Sequence, residues 1–373
     1  MWRTGKAPRS HLILLALLAI GVYAGAERIT RRELQPRYKL KIAAAQTALL
    51  AQQAVRAELE SRGYGIDVTN DPWETGLIGE EHTEITSDRG FNTAKILATN
   101  PNAAAEFVEI LVDAGVKPGD RVAIGMTGSI PGWNIAVLAA CRAMTVTPVI
   151  ITSVGSSDWG ANRPDFTWLD MERVLRERNV LPYKSVAASL GGGGDRGRGT
   201  SPEGRRLLRE AITRNDVRFI EAATLEGSIA ERMRLYRENS GGGRYAVYIN
   251  IGGGVASLGG QYNNQLIRSG YSRRLPPGNY TVNAVINRMS RAGIPVVNLT
   301  EVKILAGRYG SLEVTPERPG VGIGSQFYTE RVDVTASAIL TAFLAVVVFL
   351  VIRIDIRHFV DRGRRITSHE EKA

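Results

Sequence analysis

The middle of the chain alternates short apolar runs with longer amphipathic stretches. Apolar runs of about four to seven residues predict buried strands, and apolar positions that recur every three or four residues predict helices. Strands and helices that alternate in this way are typical of a parallel sheet covered on both faces. We therefore predict an α/β fold, doubly wound around a mostly parallel sheet. The predicted helices cover 102–114, 168–179, 202–215, 224–239, 281–292 and 301–306, with one more ending at Met144, and the strands cover 121–125, 147–152, 185–190, 217–221, 245–251 and 295–299.

A continuous apolar segment lies near the C-terminus. Residues 334–352 carry no charge and would span roughly 28 Å as a helix, which matches the hydrocarbon thickness of a bilayer. We therefore predict a transmembrane helix over 333–353, which tethers the preceding domain to the membrane. Bases are scarce just before this segment and frequent after it, so the positive-inside rule predicts a basic cytoplasmic tail over 354–373. The bases on this side are Arg353, Arg357, Arg362, Arg364, Arg365 and Lys372.

A second apolar segment, 11–26, follows Arg3, Lys6 and Arg9 and ends in an A-x-A pattern. This layout predicts a signal peptide or a retained signal anchor over 1–26, and either one places the following domain outside the cytoplasm. One feature opposes this orientation, because bases between Arg28 and Lys41 would hinder translocation.

The chain between the two apolar segments divides into two parts. Residues 36–62 are rich in Ala, Leu, Gln and Glu and predict a long helix, so we interpret 27–62 as a helical stalk that rises from the membrane. Residues 63–332 form the predicted extracytoplasmic α/β domain, which begins with a polar connector over 63–100. The glycine-rich segment 191–200 is a candidate junction between two halves of this domain.

Composition narrows the chemistry. The net charge is +10, and much of the excess adjoins the apolar segments, where it suits lipid headgroups; attraction to a polyanion is the sharper alternative. Cys141 is the only cysteine and lies in an apolar run, which predicts a buried thiol and excludes a disulfide framework. His82 is the only histidine outside the terminal segments, which excludes most zinc sites. We expect no metal, no cofactor and no nucleic-acid partner.

Small and hydroxyl residues follow several of the predicted strands. Ligands of open α/β sheets bind at the carboxyl ends of the strands, where such residues allow close approach to the backbone. No P-loop and no dinucleotide-binding glycine pattern occurs. The sequence therefore predicts a pocket for an oxyanion or carboxylate ligand, formed by Thr127, Gly128, Ser129, Ser153, Gly155, Ser156, Ser157, Gly192, Gly193, Asp195, Gly252, Gly253 and Gly254.

No catalytic residue is identified by motif, and two residues are candidates. Ser129 stands at a strand-to-helix turn, but its surroundings differ from the G-x-S-x-G elbow, so a hydroxyl ligand or helix cap is the alternative. Asp195 could act as a base, orient a ligand or be a solvated loop residue. His82 lies among Glu80, Glu81 and Glu84, where a loose cation site and a solvated polar segment are the alternatives.

Three stretches carry a family resemblance. They are GDRVAIGMTGSIPGWNIAVLAACRAM (119–144), TPVIITSVGSSDWGANRPDFTWLDME (147–172) and SLGGGGDRG (189–197). The chain resembles the poly-gamma-glutamate system protein family, membrane-anchored accessory proteins encoded with the machinery that makes and exports poly-γ-glutamate capsule. The resemblance implies a pathway and a membrane location, and it assigns no catalytic residue.

Three functional hypotheses follow. The first is a non-enzymatic accessory protein that binds or guides the anionic polymer at the outer face of the membrane, in contact with lipid and the synthase or export complex. The second is an extracytoplasmic hydrolase or transferase of γ-glutamyl bonds that uses Ser129 or Asp195, although the sequence offers no evident base. The third is a cytoplasm-facing module that binds a phosphorylated metabolite.

Overall fold

The computed structural model of this protein describes residues 9–307 and 314–370, with side chains over 12–307 and 314–351 and at Arg353. Arg3, Lys6 and Lys372 lie outside the described residues, and the side chains of Arg357, Arg362, Arg364 and Arg365 are not among those described. The chain divides into two compact units, one formed by 35–327 and the other by the two ends, 1–34 with 328–373.

Helices and strands alternate along most of the chain. The helices of the described residues are α1 (Arg9–Arg28), α2 (Tyr38–Ser61), α3 (Asn92–Ala98), α4 (Ala103–Asp113), α5 (Pro131–Ala143), α6 (Trp168–Glu177), α7 (Pro202–Arg214), α8 (Leu225–Glu238), α9 (Val255–Leu258), α10 (Gly260–Leu266), α11 (Val285–Arg291), α12 (Val302–Ala306) and α13 (Val334–Glu370). The strands are β1 (Thr30–Leu34), β2 (Thr86–Asp88), β3 (Arg121–Thr127), β4 (Thr147–Ser153), β5 (Ser156–Ser157), β6 (Asn162–Arg163), β7 (Phe166–Thr167), β8 (Ala187–Ser189), β9 (Arg218–Phe219), β10 (Tyr248–Ile251), β11 (Gly270–Ser272), β12 (Val296–Leu299) and β13 (Tyr328–Val332).

The larger unit is built on a seven-stranded sheet in the order β11-β12-β10-β3-β4-β8-β9. Each neighbouring pair is parallel except β11 with β12 at one edge. The prediction of an α/β fold with a mostly parallel sheet is confirmed. The chain builds β3, β4, β8 and β9 outward in one direction and then places β10 on the other side of β3. The strand order therefore reverses between β3 and β10, which is where ligands of open α/β sheets bind.

Alternating residues of the strands pack on opposite faces of this sheet. On β3, Val122 and Ile124 belong to one buried cluster with residues of α2, α4 and α5, whereas Ala123 belongs to a second cluster with residues of α8 and α11. Side chains of a strand point alternately to its two sides, so the period of two produces two cores. Both faces of β3 are consequently covered by helices, as the short apolar run predicted.

The helix predicted over 36–62 exists as α2, but its interpretation as a stalk was wrong. Ala44, Ala48, Ala51 and Val55 are fully buried, and α2 packs against α4, α5 and α6. Small alanine side chains permit close helix packing, which the composition of this segment does not distinguish from high helix propensity. The helix belongs to the core of the larger unit.

Two more segments differ from their predicted roles. The connector predicted over 63–100 includes β2 and the short helix α3, which packs on α12 and α5. The segment 191–200 lies inside the larger unit as a compact loop, closed by a hydrogen bond from Gly197 N to Gly191 O of 2.7 Å. The first and last residues of this unit also meet, because Gln35 N donates to Phe327 O at 2.9 Å.

The smaller unit joins the two ends of the chain. Strands β1 and β13 pair in antiparallel register, from Thr30 opposite Val332 to Leu34 opposite Tyr328. The carboxylate of Asp333 caps α13 by accepting the backbone N–H groups of residues 335 and 336. Among the described residues, one helix holds a stretch long and apolar enough to cross a membrane, Val334–Val351 within α13, which confirms the predicted apolar helix.

Candidate functional site

A cavity of about 740 Å³ opens at the carboxyl ends of the parallel strands. Loops after β3, β4, β8, β10 and β12 contribute to its wall, so the cavity includes the point where the strand order reverses. Much of the predicted pocket is brought together here. The predicted residues that line the cavity are Thr127, Ser129, Ser153, Gly155, Ser157, Gly192, Gly193, Gly252, Gly253 and Gly254. Gly128 and Ser156 are instead buried behind this wall, and Asp195, also buried, lines a neighbouring cavity.

Two glycines allow the loops to approach so closely. Gly252 has a φ of +86°, and a Cβ atom there would lie 2.2 Å from Thr127 Oγ1. A Cβ at Gly128 would lie 2.6 Å from the carbonyl oxygen of Val154. Only glycine adopts the first conformation without strain and leaves space for the neighbouring chain at both sites. Gly252 therefore lets the loop after β10 lie against the end of β3, and Gly128 lets the loop after β3 lie against the loop after β4.

Asp195 forms a buried ion pair with Arg232 below the cavity. Its Oδ2 lies 3.0 Å from Arg232 Nη2, and its Oδ1 accepts a hydrogen bond of 2.7 Å from Ser189 Oγ. Ser228 Oγ also donates to Oδ2, and Arg232 Nη2 donates to Ser153 Oγ at 3.0 Å. Every oxygen of the carboxylate is thus engaged with the protein. Asp195 holds the loops after β4 and β8 together, and the structure gives it no free position from which to act as a base.

Ser129 lies in the cavity wall beside a lysine that the sequence did not indicate. Lys95, on α3, is 7% exposed, and its Nζ lies 2.5 Å from the carbonyl oxygen of Ser129 and 2.6 Å from Ser157 Oγ. Burial lowers the pKa of Lys95 from its ordinary 10.5 to about 8, while the carboxylates of Asp158 and Asp88 act in the opposite direction. Lys95 is a cavity residue that sequence reasoning missed. The only sequence signal for it is a single charge among the apolar positions of a short helix.

His82 does not reach Ser129. It is exposed, and its Nδ1 lies 3.4 Å from Asp158 Oδ1 outside the main cavity. Glu80 pairs with Arg163 at 2.8 Å, so the acidic group around His82 is partly engaged in an ion pair. In the described part of the chain, no group of three His, Cys, Asp or Glu side chains is placed to hold a metal ion. A serine triad based on His82 is therefore not formed.

The cavity wall carries three cations, Arg89, Lys95 and Arg198, and two carboxylates, Asp88 and Glu301. Arg89 and Arg198 line it and are exposed, and neither forms an ion pair with a described residue. Arg198 also lines a second cavity of about 580 Å³, together with Arg196, Arg205 and Arg209. The two cavities adjoin at Arg198 and form one basic surface. A guanidinium binds carboxylate or phosphate through two parallel hydrogen bonds, so this surface suits an extended anion.

Two further arginines of the second cavity donate to backbone rather than to carboxylates. Arg196 Nη1 donates to the carbonyl of Ala223 and Arg205 Nη1 to that of Thr200, each at 2.8 Å. These bonds fix the side chains but leave their charge uncompensated. Arg209 lies 3.9 Å from Glu221, and such a long ion pair between exposed side chains offsets little of its charge.

Comparison with known proteins adds no relative: no family model, no curated protein and no solved structure matches this chain.

Proposed function

We propose that this chain is a membrane-anchored accessory protein that binds an extended carboxylate polymer, poly-γ-glutamate, at the outer face of the membrane. The observation that carries the proposal is the continuous surface formed by the two adjoining cavities, which Arg198 joins. A polymer with one free carboxylate per residue needs a row of positive groups rather than a single deep pocket. The arginines along this surface provide that row.

The identity of the polymer comes from the family resemblance, and the location comes from the two ends of the chain. Helix α1 leads into β1 and α13 follows β13; because these strands are antiparallel, both helices extend from the same end of the ribbon. With the bases of the tail on the cytoplasmic side, the larger unit would lie outside the cytoplasm, and a retained α1 would place the N-terminus on the same side as the tail. Lipid and the synthase or export complex are the partners that this location would provide.

Binding to the full-length chain in detergent micelles tests the proposal. Calorimetry at low and high salt should show that γ-glutamyl oligomers bind and that affinity falls as salt rises, since exposed charges are screened within roughly 8 Å at physiological ionic strength. The Arg198→Ala variant should bind at least about 5-fold more weakly, which corresponds to about 1 kcal/mol for the loss of one exposed charge contact.

Arg237→Ala is the matched control. Arg237 is exposed at the end of α8. It lies far from the cavity, because nearby Asn239 accepts a hydrogen bond from Arg121 at the start of β3, and the cavity lies at the other end of that strand. This variant should bind as the wild type does. Equal affinity for neutral polyglutamine, or no binding of either polymer, would contradict the proposal.

A further inference from the structure

Lys95 lines the cavity as a buried lysine. It has no carboxylate within ion-pair distance among the described residues, and its two hydrogen-bond partners are the Ser129 carbonyl and the Ser157 hydroxyl. With a pKa of about 8, about a tenth of the molecules carry the neutral amine at pH 7. A neutral amine at this position accepts a proton instead of donating one.

Ser157, the last residue of β5, faces this amine. Its Oγ is 2.6 Å from Lys95 Nζ, lines the cavity and has no other hydrogen-bond partner in the described chain. Its backbone is fixed on both sides, because Ser157 N donates to Ser129 Oγ at 3.0 Å and its carbonyl accepts from Ser156 Oγ at 2.9 Å. The hydroxyl is therefore held against the base and open to a ligand.

We infer that Ser157 is a nucleophile activated by Lys95, and that the cavity cleaves or transfers the acyl group of amides or esters that bear carboxylates. A serine paired with a lysine base is a known alternative to the serine–histidine pair. The carboxylate character of the substrate rests on the proposed function. The reactivity of Ser157 does not, because it depends only on the contact with Lys95.

The reaction balances with these two residues and water. Ser157 Oγ attacks the acyl carbon and its proton passes to Lys95 Nζ, so that a C–O bond forms. The C–N or C–O bond to the leaving group then breaks, and the Lys95 ammonium returns the proton to the departing amine or alcohol. Water, or a second amine in a transfer reaction, attacks the acyl-serine and gives its proton to Lys95. Ser157 leaves and recovers that proton.

Ser129, a candidate nucleophile from the sequence, has a different role in this inference. Its carbonyl accepts from Lys95 and its Oγ accepts from Ser157 N, which leaves its own O–H without an acceptor among the described residues. This O–H borders the same side of the cavity. It is free to donate to the oxygen of an acyl group held near Ser157, where negative charge develops during attack.

A fluorophosphonate probe tests the nucleophile on the full-length chain in detergent. Attack forms a bond from Ser157 Oγ to phosphorus and expels fluoride, and mass spectrometry of the digested wild-type protein locates the modified residue. We expect modification at Ser157. Below about pH 8 the rate should rise about tenfold per pH unit, following the neutral form of Lys95. The charged groups near Lys95 are Asp88, Arg89 and Asp158, and His82 contacts Asp158.

Variants distinguish loss of the base from loss of the folded structure. Lys95→Met should lower the labelling rate by at least about 100-fold, which is the usual size of a general-base contribution, and Ser157→Ala should abolish it. The exposed controls Lys117→Met and Ser61→Ala should react at the wild-type rate. Because peptide mapping uses the wild-type chain, a variant that fails to fold does not leave the question open.

The outcomes distinguish this inference from the proposed function. Absence of labelling, modification at another residue or an unchanged rate in Lys95→Met would overturn the inference, even where γ-glutamyl oligomers still bind. Labelling of Ser157 without any binding of the oligomers would instead overturn the proposed polymer ligand and leave the nucleophile in place.

Discussion

Single buried charges determine much of what this molecule can do. Lys95 and Asp195 are both buried at the same end of the sheet, but Asp195 is paired with Arg232 while Lys95 has only neutral partners. Burial lowers the pKa of Lys95, and the carboxylates of Asp158 and Asp88 offset this only in part. This difference is why the residue without a salt bridge is the better candidate for chemistry.

Glu172 is a buried acid that forms no ion pair with a described residue. It lies on α6, and its two oxygens accept from Ser185 N at 2.6 Å and from Ser185 Oγ at 2.8 Å. Burial raises the pKa of Glu172 from its ordinary 4.5 to about 7. Between pH 4.5 and about pH 7, Glu172 is therefore protonated in the folded protein but ionised in the unfolded chain.

This shift predicts that Glu172→Gln gains stability relative to the wild type as pH rises. The contribution of Glu172 is present in full below about pH 4.5 and is lost as pH rises through about 7. The loss amounts to about 3 kcal/mol, because one pKa unit corresponds to about 1.4 kcal/mol. A glutamine keeps an acceptor and a donor for Ser185 but does not ionise.

Thermal unfolding at pH 5 and pH 8 measures this gain. Glu177→Gln, an exposed acid on the same helix, is the control and should show no such pH-dependent gain. An equal effect of pH on Glu172→Gln and on the wild type would show that Glu172 is ionised at neutral pH without cost.

At the scale of elements, the pattern of apolar residues predicted the six parallel strands of the central sheet and most of the longer helices. The predicted strands over 121–125, 147–152 and 295–299 all appear as strands of the central sheet, because buried parallel strands are uniformly apolar. The strand β11 and the ribbon of β1 with β13 were not predicted. Strands at an edge or in a charged ribbon carry no comparable apolar run.

The site was predictable in part for a related reason. The glycine and serine loops follow strands, so their positions could be derived from strand ends alone. The pairing of Lys95 with Ser157 joins residues 62 positions apart, on a short helix and on a two-residue strand, and depends on tertiary contact. No local spacing in the sequence indicates such a pair.

The packing of α2 leads to a prediction that separates a core helix from a free stalk. Ala48 is fully buried and Leu50, two residues later, is 56% exposed. Ala48→Leu should lower stability by about 1–3 kcal/mol because the extra methyl groups have no space, and the unfolding temperature should fall by about 2–6 °C.

Leu50→Ala is the control on the opposite side of the same helix. It removes an exposed side chain and should change the unfolding temperature by less than about 1–2 °C. If both variants unfolded at the wild-type temperature, α2 would not be part of the packed core.

At the scale of the whole molecule, the orientation in the membrane decides which ligands the cavity can meet. The distribution of bases around α13 predicts that 27–332 lies outside the cytoplasm and that the tail lies inside. Alkaline phosphatase, which is active only outside, should be active when fused after Gly320. Green fluorescent protein fused after Ala373 should fluoresce.

The reverse pattern would change the ligand as well as the location. An inactive phosphatase fusion with a dark C-terminal fusion would place the larger unit in the cytoplasm. The basic surface around Arg198 would then face phosphorylated metabolites, and the third hypothesis would replace the polymer.

The hydrogen bond between Gln35 and Phe327 has a consequence for how the chain is built. Because the larger unit begins and ends at adjacent residues, it has the connectivity of a domain inserted into the turn of a hairpin formed by β1 and β13. Folding of the insert brings the two halves of that hairpin together and removes most of the loop-closure cost of pairing strands from opposite ends of the chain. A circular permutant of the larger unit, in which a short linker joins residues 35 and 327 and new termini lie in another surface loop, should retain the same sheet order and the same cavity.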